Sequence, residues 1–210
     1  MGCYTSDLLA CFQFMLCPTT PDGKTQDCTK APRVVNNSWG GGQGSTNFSA
    51  AIDALKAAGI IPVFTAGNNG LSCSTVNSPG DLPSVIAVGA TDCNDALASF
   101  SSKSPSVNGV MKPDVSVLGA LIRSSCYADD KSYCTMSGTS MATPHMTGTN
   151  ALYLSAKPTA TYEQAKQYLQ SSAATSMLGK TGYAYSNTAD GVSPNNQYGY
   201  GHIDASKVLA

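Results

Sequence analysis

Charge is scarce in this sequence. Asp, Glu, Lys and Arg make up 12% of its 210 residues, about half the roughly 25% usual in a soluble domain, so Ser, Thr, Asn and Gly must supply most of the polar surface. Charge of one sign is missing too. Twelve Lys plus Arg stand against 13 Asp plus Glu, which leaves no field to hold a polyphosphate backbone or an anionic bilayer and excludes nucleic acid as a partner. Every apolar run, including the best one around Ile60 to Phe64, stops far short of the roughly 18 to 20 residues a membrane span needs. Side chains for proton transfer are few: two histidines, His145 and His202, and one glutamate, Glu163. The length fits one domain large enough to build its own core.

Cysteine, by contrast, is plentiful. Eight residues with no paired CxxC and His set in zinc-ligand spacing argue for an oxidising, extracellular destination over a metal site. About 105 pairings are open to eight cysteines. Cys126 with Cys134 and Cys73 with Cys93 each flank one segment and are the pairs expected, while Cys17 and Cys28 bracket a polar loop. The beginning, Met1-Gly2-Cys3-Tyr4-Thr5-Ser6, has no basic region followed by an apolar core and cleavage site. It does fit the myristoylation pattern, with a palmitoylatable Cys beside Gly2, so a dual-acylated membrane-associated protein is one alternative. That reading places the chain in the reducing cytosol, where so many other cysteines have no purpose.

Hydrophobic periodicity outlines alternating strands and helices. An apolar stretch from Leu8 to Leu16 precedes a Pro- and Gly-bearing loop, Pro18 to Pro32. Val34 to Ser38 reads as a short buried strand running into Gly40-Gly41-Gly42. Phe48, Ile52 and Leu55 recur at helical spacing before a stop at Gly59. Ile60 to Ala66 and Val85 to Ala90 are further strands, the first with Pro62 expected to limit pairing to the residues after it. Such alternation implies a parallel sheet covered on both faces, with functional loops at the strands' carboxyl ends. Ser140 to Leu154 has small and apolar residues on nearly every side, as a helix buried all round would. Thr161 with Gln164 forms a capping box for another helix, and a short terminal helix follows Asp204.

The densest chemical signal is Gly138-Thr139-Ser140-Met141-Ala142-Thr143-Pro144-His145. A serine opens a helix there, where free N–H groups and the positive dipole end favour negative charge developing beside its Oγ. Pro144 removes the N–H that would bond the Ser140 carbonyl, which predicts an unpaired acceptor in the first turn. A plain helix cap would also use Ser at such a start. The octapeptide resembles the nucleophile motif of the subtilisin-like serine proteases. Further matches follow in the family's order: Val34 to Gly40 resembles the substrate-pairing strand, Thr65-Ala66-Gly67-Asn68-Asn69-Gly70 the oxyanion loop, Lys112-Pro113-Asp114-Val115 the segment before the nucleophile loop, and Gly199-Tyr200-Gly201 the carboxyl-terminal signature. The segment from Asp7 to Asn37 looks most like the bacillopeptidase F branch.

This resemblance implies a three-layer α/β/α fold with a mostly parallel sheet, and a role for each matched residue. Ser140 is the nucleophile, with the Asn68 amide and the Ser140 N–H as oxyanion donors. Ser38, Trp39 and Gly40 pair with an extended peptide or protein substrate through their backbone. Ala66, Gly67 and Asn77 line the pocket for the residue before the cut, where no acidic side chain selects a basic one. No cofactor is required, although Pro83, Val85 and Asp114 match positions that hold structural calcium in some members.

One departure is large. The family's catalytic Asp and His precede the substrate strand, and no such His motif is present here. Five residues of helix turn a side chain about 140°, so His145 cannot face Ser140, and the resemblance gives His202 no role. The Ser-Glu-Asp sedolisins fail as a template because Glu163 follows the serine. The expectation is therefore a single partial peptidase domain over residues 1–210, lacking its amino-terminal part, inactive alone, and partnered by an upstream segment that carries Asp and His. A non-catalytic peptide-binding pseudoprotease is the alternative.

Overall fold

A computed structural model describes residues 3–70, 72–176, 178, 184–186, 188–189 and 191–208; the Met1-Gly2 acylation signal lies outside them. Four strands, β1 (Val34–Asn37), β2 (Ile61–Thr65), β3 (Ile86–Thr91) and β4 (Val115–Leu118), form one parallel sheet in the order β1-β2-β3-β4. Side chains alternate across it. Ile61, Val63, Ile86 and Val88 meet Met146 and Tyr153 of α3 (Thr139–Ala156) and Leu169 of α4 (Tyr162–Ser172) on one face. Ile60 and Phe64 meet Phe12 of α1 (Thr5–Leu16) and Ile52 and Leu55 of α2 (Ser49–Ala57) on the other. The α/β/α arrangement expected from the sequence is the one observed, and β2 and β3 are buried at every position, as central strands covered on both sides must be.

Pro62 limits β2 as expected toward β3, where pairing starts after it, but not toward β1, where pairing includes it. The Ile61 N–H donates to the Arg33 carbonyl at 2.9 Å and Pro62 lies opposite Val35 in register. Successive amides of a strand point to opposite sides, so the N–H that Pro62 lacks would face β3, where pairing begins only at Val63. The missing donor falls one residue before it is needed.

The apolar stretch at Leu8–Leu16 forms α1, and Cys17 at its end is bonded to Cys28. This corrects the expected pairings, because Cys73, Cys93, Cys126 and Cys134 are free thiols. Cys73 lies in a loop that bonds Lys103 through the Thr75 N–H, whereas Cys93 sits in the turn of Asp92 to Ala96, off the end of β3. Cys126 and Cys134 are in contact: they are diagonal neighbours across the hairpin of β5 (Ile122–Ser125) and β6 (Tyr133–Met136), where Cys134 faces Ser124 and the Cys126 N–H bonds the Ser132 carbonyl. The Cys134 side chain holds the Cys126 thiol below the usual range, and the same contact pushes Cys134 up.

The capping box opens α4 as expected, with Thr161 and Gln164 each bonding the other's backbone. Helix α3 is not buried all round. Pro144, His145, Gly148, Ala151, Leu152 and Ser155 form one exposed stripe at helical spacing, because the sheet packs against the opposite side while β5 borders this one only across an open groove. A strand pair, β7 (Ala184–Tyr185) and β8 (Thr188–Ala189), and the short α5 (Ala205–Val208) complete the elements. Between them the tail runs along β4, with Tyr200 N–H bonding the Asp114 carbonyl at 2.8 Å and Ser116 N–H the Gly201 carbonyl at 2.9 Å. Gly199, at φ +66°, is required there, since a Cβ would meet the Pro113 and Asp114 carbonyl oxygens.

Candidate active site

The carboxyl ends of β1 and β2 and the start of α3 converge on a polar cavity of about 350 Å³. Ser38, Trp39, Gly40, Gly67, Asn68, Asn77 and Ser140 line it, together with Thr65 and Asn69. The sequence motifs separated by up to about a hundred positions thus meet in one place. Ala66 is the exception: it is fully buried and contributes its carbonyl, which accepts the Asn77 N–H at 2.9 Å.

Ser140 sits in the first turn of α3, an 18-residue helix, where backbone N–H groups lack intrahelical acceptors and the dipole is positive. Its hydroxyl donates to the Ser38 carbonyl at 3.3 Å. The Ser38 hydroxyl in turn donates to the Ser140 carbonyl at 2.8 Å. The acceptor freed by Pro144 is therefore not unpaired, as the sequence suggested, because Ser38 replaces the lost helical donor.

Asn68 is held by Thr139. Its Oδ1 accepts from the Thr139 N–H at 2.9 Å and from the Thr139 hydroxyl at 2.8 Å, which fixes the amide so that its NH2 is left for the cavity. Behind it the Thr65 hydroxyl donates to Thr139 Oγ1 at 2.5 Å, and the Gly67 N–H reaches the same atom at 3.3 Å. Thr139 is fully buried. Sequence reasoning gave no role to Thr65, Thr139 or Asn69, although all three lie inside the matched motifs and a threonine beside a serine in a buried helix start is itself a signal of side-chain bonding.

Asn77 Oδ1 accepts from Asn69 Nδ2 at 2.8 Å. Gly67 is placed so that any Cβ there would collide with that Asn77 oxygen. Trp39 lends its backbone to the cavity while its indole packs at 5.2 Å from Phe48, 5.7 Å from Phe64 and 6.0 Å from Phe12. The aromatic cluster anchors the wall.

Neither histidine reaches Ser140 Oγ. His145 Nδ1 lies 2.9 Å from the Met141 carbonyl on the exposed side of α3, as its helical spacing requires, and His202 Nδ1 pairs with Asp95 at 2.8 Å. Pro83, Val85 and Asp114 come together, but apart from the cavity lining, around the ammonium groups of Lys112 and Lys166. Burial pushes the Lys112 ammonium down to about 8 even with Asp114 beside it.

The chain is similar to bacillopeptidase F of Bacillus subtilis (strain 168), at 34% identity over 214 residues that cover 98% of this chain and 14% of that protein. To subtilisin DY of Bacillus licheniformis it is 44% identical over 142 residues, 67% of this chain and 49% of the relative. The serine protease AprX of Bacillus subtilis is 40% identical over 139 residues, 57% of this chain and 31% of that protein. The chain thus spans half or less of these relatives' own lengths. Residues 19–201, which contain every element of the cavity, match the model of the subtilase family, and to that family, of subtilisin-like serine proteases, the chain belongs.

Proposed function

We propose that this chain is the nucleophile-bearing part of a subtilisin-like serine endopeptidase domain. Ser140 attacks the scissile carbonyl of an extended peptide lying along Ser38, Trp39 and Gly40. The Asn68 amide and the Ser140 N–H receive the oxyanion, a donor of this kind contributing about 3 to 4 kcal/mol in related sites. Gly67 and Asn77, with the Ala66 carbonyl behind them, form the pocket for the residue before the cut. The observation that carries the reading is the Thr139 clamp, which turns Asn68 so that its donor end, not its acceptor, serves the cavity beside Ser140.

The base is the missing part. A serine whose hydroxyl rests on a carbonyl stays protonated and weakly nucleophilic, so the 210 residues alone retain only the residual catalysis of an oxyanion hole and binding surface, roughly 10³- to 10⁴-fold over water. Aspartate and imidazole would come from polypeptide outside these residues and approach over the exposed stripe of α3. An extracellular setting suits the Cys17–Cys28 bond, and among the described residues no helix is long and apolar enough to cross a membrane.

The test is to treat the chain with a serine-directed fluorophosphonate and a peptide substrate, with and without an added Asp- and His-bearing segment. Labelling and cleavage should appear only with the segment and vanish in Ser140→Ala; rapid turnover by the chain alone would sink the proposal. The engaged Ser140 hydroxyl and the absence of an imidazole beside it also suit a peptide-binding pseudoprotease. That reading gains if peptide binding survives Ser140→Ala and no cleavage follows complementation.

A further inference from the structure

The oxygens of Pro83, Val85 and Asp114, which the family resemblance offers to calcium, are all in use. We propose that the Lys112 and Lys166 ammonium groups are this chain's own cations at that position, closing the junction between the β2–β3 connection, the start of β4 and α4 without a metal ion.

The argument is an account of lone pairs. Asp114 Oδ2 accepts from Lys112 Nζ at 2.6 Å and from the Ala87 N–H at 2.8 Å. Asp114 Oδ1 accepts from Lys166 Nζ at 2.9 Å and from Gln170 Nε2 at 3.2 Å. The Val85 carbonyl takes Lys112 Nζ at 2.8 Å and Lys166 Nζ at 3.3 Å, and the Pro83 carbonyl takes Lys166 Nζ at 3.3 Å. Calcium asks for six to eight oxygens at about 2.3 to 2.6 Å. This position offers four at most, and three of those already hold two donors each. Charge decides the matter in the same direction. Two ammonium groups face one carboxylate, so a divalent ion would enter a pocket that is already net positive, with Lys112 only 1% and Asp114 7% exposed and little solvent to screen the repulsion. No cluster of three or more His, Cys, Asp or Glu suited to a metal is found among the described residues.

The lysines also do something a spherical ion would not. Lys166 sits on α4 and Lys112 just before β4, so each tethers a different covalent segment to the Val85 carbonyl, and the cluster joins helix to sheet through side chains whose other ends are fixed. Removing either cation leaves Asp114 a buried carboxylate with a single ionic partner, a costly state.

Equilibrium dialysis of the full chain against ⁴⁵Ca²⁺ at 1 mM, beside thermal unfolding followed by Trp39 fluorescence in calcium and in EDTA, tests this. The intact chain should hold no calcium that Asp114→Asn abolishes, and its midpoint should agree within about 1 °C in the two buffers. Lys166→Ser and Lys112→Met should each melt at least about 5 °C lower, as a change of some 2 kcal/mol does in a chain of this size. Stoichiometric calcium binding lost in Asp114→Asn would overturn the proposal. So would lysine variants that melt with the intact chain, since the ammonium groups would then carry none of the load. Because Lys166 is partly exposed and replaceable by a small polar residue, the Lys166→Ser comparison stands even where Asp114→Asn fails to fold.

Discussion

Replacing Thr139 by valine keeps the shape of the side chain and removes one oxygen. That oxygen accepts from the Thr65 hydroxyl at 2.5 Å and the Gly67 N–H at 3.3 Å, and donates to Asn68 Oδ1 at 2.8 Å. Asn68 Oδ1 keeps the Thr139 N–H, but Thr65 and Gly67 each lose an acceptor in a region where Thr139 is 0% and Thr65 5% exposed, so water cannot replace it. A buried donor left without a partner costs about 1 to 3 kcal/mol. Two such donors, partly relaxed, give an expected loss of about 2 to 4 kcal/mol for Thr139→Val. Thr139→Ser keeps the oxygen and removes a methyl, which predicts a loss of about 1 kcal/mol. Urea unfolding at micromolar protein, read by the fluorescence of the single tryptophan among its three phenylalanine rings, resolves that difference. If valine and serine shift the midpoint equally, the bonded line from Thr65 through Thr139 to Asn68 does not hold the loop of residues 65–70, and the proposed role of Asn68 loses its support.

Two further outcomes are expected. Burial raises the Tyr162 phenol, so the folded state keeps a proton that the unfolded state gives up, and stability should fall once the unfolded tyrosine ionises above about 10. Urea midpoints from pH 7 to 11 check the sign, and Tyr162→Phe should flatten the fall. At the hairpin, Cys126 should be alkylated by iodoacetamide faster than Cys134, and oxidised glutathione should join the two into a disulfide with release of two reduced glutathiones, both read by peptide mass analysis. Equal alkylation rates and no crosslink would contradict the contact between the two sulfurs.

Local patterns in the sequence were enough for the layers and for most of the cavity wall. Apolar spacing located α2, β2 and β3 to within a residue or two, and the Thr161 and Gln164 pair marked the start of α4, because each of these signals is read within a single turn or strand. The readings that failed depend on what a segment packs against. Composition suggested a helix α3 covered on every side, yet exposure of Pro144, His145 and Leu152 is decided by which elements stand nearby. Pro62 was read correctly for β3 and not for β1, because the harm done by a missing N–H depends on which neighbour it would have faced. The thiol pairing could not follow from loop lengths, since whether Cys17 meets Cys28 depends on the direction in which α1 leaves the core. The lysines around Asp114 were invisible for a related reason: a resemblance carries oxygens from position to position, but it gave no role to Lys112 within the matched segment, and Lys166 comes from a helix outside the quoted motifs.

Ser38 and Pro144 lie 106 positions apart and form no bond with each other, yet each makes sense of the other. The imino ring withdraws a hydrogen from the coil of α3, and the hydroxyl across the cleft returns one to the same carbonyl. An alanine at 38 should therefore be better tolerated beside an ordinary amino acid at 144 than beside the ring, and the two substitutions combined should do less harm than the sum of their separate effects. Drift at either place is constrained by the other, so the two sites should change in step as the lineage diverges.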